Sequence, residues 1–217
     1  MSAIDFSGGG AGWRPLLFVA LLLGHVTVHG ARSSDGGPSP DQVVAQTAAR
    51  VAQAVADRKT ELAADTCKVH ALIDELLRPQ FDLHAASRLI LGPHWASATP
   101  EQRERFVAAF YHFLLAMHGT AVLEFRFDTV TVLPLEEAAS DVAVRVKTLM
   151  KLSDGSRYHV DYYMRPTRDD WKIVDVIAEG VSYVRTYRTD FGAEVRSRGL
   201  DALIERLAGT SARTARK

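Results

Sequence analysis

Between residues 41 and 119 apolar side chains recur every three or four positions, and from about Phe125 to Ala178 they recur every two. The first period stacks residues on one face of a helix, and the second puts them on one face of a sheet. A first helix is predicted from Asp41, its cap, with Val44, Ala48, Val51 and Val55 on one side. A second carries Val69, Leu72, Ile73, Leu76 and Leu77 and ends near Pro79. A short third segment spans Asp82 to Leu91 and closes at Gly92-Pro93. Thr99-Pro100, with Gln102 three residues after Thr99, spells a capping box. The helix it opens shows Phe106, Phe110, Phe113, Leu114 and Met117 on one face, with Gly119 at its end.

In the second half Val130 and Val132 alternate with threonines. Val142, Val144, Val146, Met150 and Leu152 then share one parity, and Asp141, Arg145, Lys147 and Lys151 the other. Asp154-Gly155 marks a hairpin, and the return strand puts Tyr158, Val160, Tyr162 and Met164 together. A turn at Arg168-Asp169-Asp170 leads to a last strand, Trp171 to Ala178. Glu179-Gly180 breaks it, and Ser182 can cap a helix to about Ser197. Gly199 divides this from a final helix, Leu200 to Leu207. The predicted class is α+β, with helices packed on a curved antiparallel sheet, cone-like, the two layers either closing into a solid core or leaving a cavity between them. The apolar faces of helix and sheet are expected to meet there.

The ends of the chain read differently. Residues 1–31 are predicted to be a cleaved signal peptide, with Arg14 in the basic region, Leu16 to Val28 as the apolar core and cleavage at Gly30 or Ala31. An uncleaved anchor is the alternative. The apolar run falls short of the ~20 residues that a bilayer span needs. Residues 32–40 form a Ser/Gly/Pro linker, residues 41–208 the folded domain, and residues 209–217 a flexible basic tail.

Charge narrows the partners. With 26 basic and 26 acidic residues, no net field favours nucleic acid. The single cysteine, Cys67, cannot form an intrachain disulfide and is expected to be buried as a small apolar residue. No metal-binding, phosphate-loop or nucleophile-elbow motif occurs, and the histidines lack ligand spacing. Asp175 shares parity with Trp171, Ile173 and Ile177, so an acid is expected among large apolar side chains, paired with Tyr187, Arg188 or nearby backbone N–H groups. A strand-to-helix tie and a general base in an apolar cavity are the two readings of that position.

Two blocks carry a resemblance. The first runs from Phe81-Asp82 through Ser87-Arg88-Leu89-Ile90-Leu91-Gly92-Pro93-His94-Trp95 to Ala98-Thr99-Pro100-Glu101-Gln102-Arg103 and Phe106. The second runs from Trp171-Lys172-Ile173-Val174-Asp175-Val176 through Glu179-Gly180-Val181-Ser182 to Tyr187-Arg188, Phe191 and Gly199. Together they resemble the MlaC family, also called toluene-tolerance proteins. The resemblance implies a monomeric periplasmic carrier with no catalytic residues and no cofactor. It would bind a diacyl phospholipid and move it between an outer-membrane lipoprotein–porin complex and an inner-membrane ABC transporter. Leu91, Trp95, Phe106, Phe110, Phe113, Leu114, Met117, Val144, Val146, Tyr162, Met164, Val176 and Tyr187 are the expected ligand-binding residues, and Asp175, Gly180, Ser182 and Arg188 the structural signature. A carrier of another lipid, such as a hopanoid, and an isomerase or lyase using Asp175 are the alternatives.

Overall fold

The computed structural model describes residues 27–28, 37–119, 127–135, 143–152, 154–168 and 170–214. Among these, the first helix, α1, is Pro40–Ala64, and α2 is Thr66–Leu76. Ser39, not Asp41, is the cap of α1; its N–H donates to Gln42 Oε1 at 3.0 Å. Pro40 explains the shift, because its fixed φ suits the first helical position and moves the cap one residue earlier. Arg58 leaves helical geometry and kinks α1. Asp65 ends it and starts α2, accepting from the Cys67 N–H at 2.8 Å. Cys67 is exposed rather than buried, since Val69, Leu72 and Ile73 occupy the inward side of that helix. A 3-10 turn, Arg78–Gln80, leads to α3, Leu83–Leu91, capped by Asp82, and to the short α4, Pro93–Ser97. The predicted capping box opens α5, Pro100–His118: Gln102 N–H reaches Thr99 Oγ1 and Thr99 N–H reaches Gln102 Oε1, both at 3.1 Å.

The strands form one meander in sequence order. They are β2, Phe127–Val132; β3, Val144–Leu152; β4, Arg157–Pro166; β5, Trp171–Ala178; and β6, Val181–Ser182. A two-residue β1, Thr27–Val28, pairs parallel to the free edge of β2. The rest of the predicted signal segment, and the strand positions Phe125, Asp141 and Val142, lie outside the described residues. Asp154-Gly155 makes the β3–β4 hairpin, with Ser156 N–H on Asp154 Oδ1 at 2.8 Å. Glu179 and Gly180 both adopt positive φ, 47° and 80°. They form a two-residue hairpin loop between β5 and β6, and the primed turns that suit such loops need that backbone.

The last helices are α6, Tyr183–Arg198, and α7, Leu200–Thr214. Helix α7 runs past residue 209, where the tail was expected to begin, and ends at Thr214. Thr210 and Ser211 turn their hydroxyls onto the carbonyls of Arg206 and Leu207, which keeps these polar residues compatible with the helix.

Two cores result. One lies between the sheet and α1–α2. The other is enclosed by α3, α5, α6 and α7, with α5 packed along α7 and α3 along α6. Helix α5 serves both, sending Tyr111 and Leu115 into the first and Phe106, Phe110 and Leu114 into the second.

Candidate functional site

The sheet core is built from aliphatic side chains. Val146, Met150, Val160, Met164, Ile173 and Val176 come from the strands, with Tyr162 among them. Val44, Ala48, Val51 and Val55 of α1 and Val69, Leu72 and Ile73 of α2 cover them, and Val144 packs at the edge. Burial, with Asp161 next door, pushes the Tyr162 phenol well above its ordinary value, so it stays neutral.

A groove of about 790 Å³ borders this core, between α2 with its following turn and α5. Its lining is apolar at Phe81, Leu83, Val107 and Tyr111, charged at Asp74, Arg78, Asp82, Glu104 and Lys172, and polar at His84. The Tyr111 hydroxyl donates to the Asp74 carboxylate, and the Arg78 guanidinium sits 5.0 Å over the Tyr111 ring. Burial first, then Asp74, raises the Tyr111 phenol above its usual range. The groove thus sets cations and carboxylates side by side at the border of an apolar layer.

The structure does not bring the sequence-predicted lining together. Val144, Val146, Tyr162, Met164 and Val176 belong to the sheet core. Leu91, Trp95, Phe106, Phe110, Phe113, Leu114 and Tyr187 belong to the helical core. Phe106 stacks on Phe110 at 5.8 Å, and Phe191 meets both edge-on at 6.2 and 6.0 Å. The expectation that the Phe106–Phe110–Leu114 stripe faces the sheet is therefore corrected, because Leu203, Ile204 and Leu207 of α7 and Phe191 of α6 take that stripe. Met117 is 46% exposed and lines neither core.

Asp175 is also displaced from its expected surroundings. A register shift between β4 and β5 leaves Val174 unpaired, so Ile173 faces Met164 while Asp175 faces Tyr163. A bulge of one residue reverses the parity beyond it. Val176 and Ala178 then point into the core in place of Asp175 and Ile177. Asp175 Oδ2 accepts from the Ser182 hydroxyl at 2.5 Å, and Oδ1 from the Val184 N–H at 3.0 Å. Its partners are thus Ser182 and a backbone N–H of the first turn of α6, not Tyr187 or Arg188. A carboxylate at a helix N-terminus is favoured by the helix dipole. With both oxygens engaged this way, the residue ties strand to helix and is not aimed at the sheet core.

Residues 45–209 match the sequence profile of the MlaC protein family. The chain belongs to that family. It is similar to the toluene tolerance protein ttg2D of Pseudomonas putida, 27% identical over 81% of this chain and 82% of that one. It is similar also to the intermembrane phospholipid transport system binding protein MlaC of Haemophilus influenzae, 19% identical over 90% of this chain and 91% of that one. The fold matches that of a phospholipid-binding protein from Ralstonia solanacearum solved in complex with a phospholipid. The TM-score there is 0.76 and the identity 24%, covering 82% of this chain and 99% of the other.

The two blocks that resemble the MlaC family meet in space. Gly92, at φ 53°, receives the Arg188 guanidinium so closely that a Cβ there would lie 3.0 Å from Nε. The positive φ suits glycine, and an added methyl would also press on the Arg188 guanidinium. The groove residues Asp74, Arg78, Tyr111 and Lys172 were not found from sequence. They come from four separate elements, and Tyr111 lay on a helix whose phenylalanines dominated the pattern. Among the described residues no group of three His, Cys, Asp or Glu side chains could hold a metal ion, and no helix is long and apolar enough to cross a membrane.

Proposed function

We propose that this protein is a periplasmic carrier that holds a diacyl glycerophospholipid with its acyl chains between the sheet and α1–α2. The carrier passes it between an outer-membrane lipoprotein–porin complex and an inner-membrane ABC transporter. Family membership supports the reading, and the observation that carries it is the aliphatic layer with a charged groove at its border. The groove's cations and carboxylates suit a phosphate beside an ammonium. Because side chains fill the layer, loading requires the sheet and its helical cover to part.

Energetics set how such a carrier unloads. Each buried methylene is worth ~0.8 kcal/mol relative to water, so two chains of about fourteen methylenes amount to roughly 20 kcal/mol. Release into water is negligible on that scale, whereas transfer to another apolar site nearly cancels it. The carrier therefore hands over its lipid in contact with an acceptor.

Native mass spectrometry of the purified protein is the test, with a co-purified diacyl lipid as the expected result. Val146→Trp fills the sheet core and should lower lipid stoichiometry in protein that remains folded. An undiminished stoichiometry in that variant, or a wild-type protein that never carries a diacyl lipid, refutes the placement or the function respectively.

A further inference from the structure

A second cleft, of about 630 Å³, lies on the helical side of the molecule and is lined by Arg88 of α3, Arg188 of α6, Arg103 of α5, Leu89, Gly92, Trp95 and Ala96. Three cations converge here in a chain whose net charge is zero, and no carboxylate is among the lining residues. Two guanidiniums are held in place by the fold. Arg188 lies against the bare Gly92 backbone. Arg103 donates from Nε to Trp95 O at 3.0 Å and sits 5.4 Å over the Trp95 ring. Among the described residues neither Arg88 nor Arg188 makes an ion pair. At the cleft, Leu89 is 41% exposed although large and apolar, and Trp95 is half-buried.

We infer that this cleft receives the phosphate of a phospholipid headgroup at a bilayer surface. Planar guanidiniums arriving from three helices match the oxygens of a phosphate, which a planar fork binds better than a point charge does. A tryptophan and an exposed leucine beside them suit the boundary between headgroups and acyl chains, where an aromatic ring with a polar edge is at home. The concave shape admits one headgroup, and the apolar rim gives its neighbours something to rest on. The site is distinct from the groove beside the sheet core and shares no lining residue with it. It goes beyond the carrier reading and depends on it only in that a carrier must approach membranes.

The test is co-sedimentation of the exported protein with vesicles of phosphatidylglycerol or of phosphatidylcholine, at low and high salt. Wild-type protein should bind phosphatidylglycerol vesicles and lose them at high salt, because anionic attraction is screened. Arg88→Ala with Arg188→Ala should weaken binding about thirtyfold, each arginine near an anionic surface contributing about 1 kcal/mol and 1.4 kcal/mol being tenfold. Arg188→Lys should recover only part of the loss. Lipid carried by the same double variant, read by native mass spectrometry, should stay at the wild-type level, which separates this inference from the carrier function. Absence of wild-type binding to phosphatidylglycerol overturns the inference. So does equal binding by the double variant, which would assign it to another surface such as the basic tail. Raised thermal stability in inorganic phosphate without vesicle binding would make the cleft a site for free phosphate and overturn it too. If the double variant fails to fold, quenching of wild-type fluorescence by brominated phosphatidylglycerol decides: Trp95→Phe should lose the part that comes from the cleft and keep that of Trp171 beside the sheet core, and quenching unchanged in that variant overturns the inference.

Discussion

The two cores share helix α5 but are made of different material. Among the described residues, the helical core holds interlocked rings: Phe106, Phe110, Phe113, Tyr187 and Phe191 contact one another at 5.1 to 6.3 Å. Among the described residues, the sheet core holds mainly valine, isoleucine, leucine, methionine and alanine, with Tyr111 and Tyr162. Edge-on and offset ring contacts fix one geometry, whereas flexible side chains such as methionine fill gaps and rearrange. The contrast assigns tasks. On the proposed function, the aromatic core would be the frame and the aliphatic core the layer that parts. The cover on that layer is itself interrupted, by the kink at Arg58 and the break at Asp65.

The sharpest way to break this contrast is Phe106→Ala. Phe106 is fully buried, and losing such a ring costs about 3–5 kcal/mol. Urea unfolding should show that loss, while lipid per folded molecule stays unchanged. A fall in lipid stoichiometry with native stability would move Phe106 to the ligand.

Next in size is acid. His118, at the end of α5, is buried against Tyr183 and near the Tyr187 hydroxyl, and burial holds its pKa down at about 4. The unfolded chain takes up a proton near pH 6.5 and the folded one does not. The stability that His118 permits is thus complete above pH 6.5 and is lost as pH falls to about 4, by roughly 3 kcal/mol at most. Burial also lowers His70, which adds in the same direction. Thermal unfolding followed from pH 7.5 to 4 should show the decline, and His118→Gln should flatten it. An equal slope in that variant would place the acid sensitivity elsewhere.

Asp175 joins the two regions, since it leaves β5 and holds the start of α6. Asp175→Asn removes a charged acceptor from Ser182 and Val184 and should cost ~1–3 kcal/mol. Differential scanning calorimetry should register this with lipid binding retained. A stable variant that loses turnover of an apolar substrate would instead favour the isomerase reading. The smallest change is Gly180→Ala. Nothing lies within 4 Å of the added methyl, so only the positive φ is penalised, at about 1 kcal/mol. A larger loss would mean that the loop resists more than its backbone angle.

Much of the architecture was legible along the chain. The α+β class, the Thr99 capping box, the Asp154-Gly155 hairpin and Ser182 as a cap depend on neighbours a few residues apart, and local chemistry settles them. Parity in β3 and β4 was legible for the same reason. In β5 it failed after Val174, since a bulge is a property of the pair of strands and leaves no mark on one of them. The site was less legible. Every residue of the expected lining but Met117 packs in one core or the other, but only contact between distant elements decides which.

What the sequence determined by itself is what short range controls: which segments are helix or strand, where they start and turn, and which residues seek an apolar partner. The tertiary structure alone decided which partner each found. Hydrophobic attraction is non-directional, so a stripe of phenylalanine is satisfied equally by a sheet or by other helices. The stripe on α5 went to α6 and α7, leaving Tyr111 and Leu115 to meet the sheet. The same packing brought Arg88, Arg103 and Arg188 to one cleft from three helices.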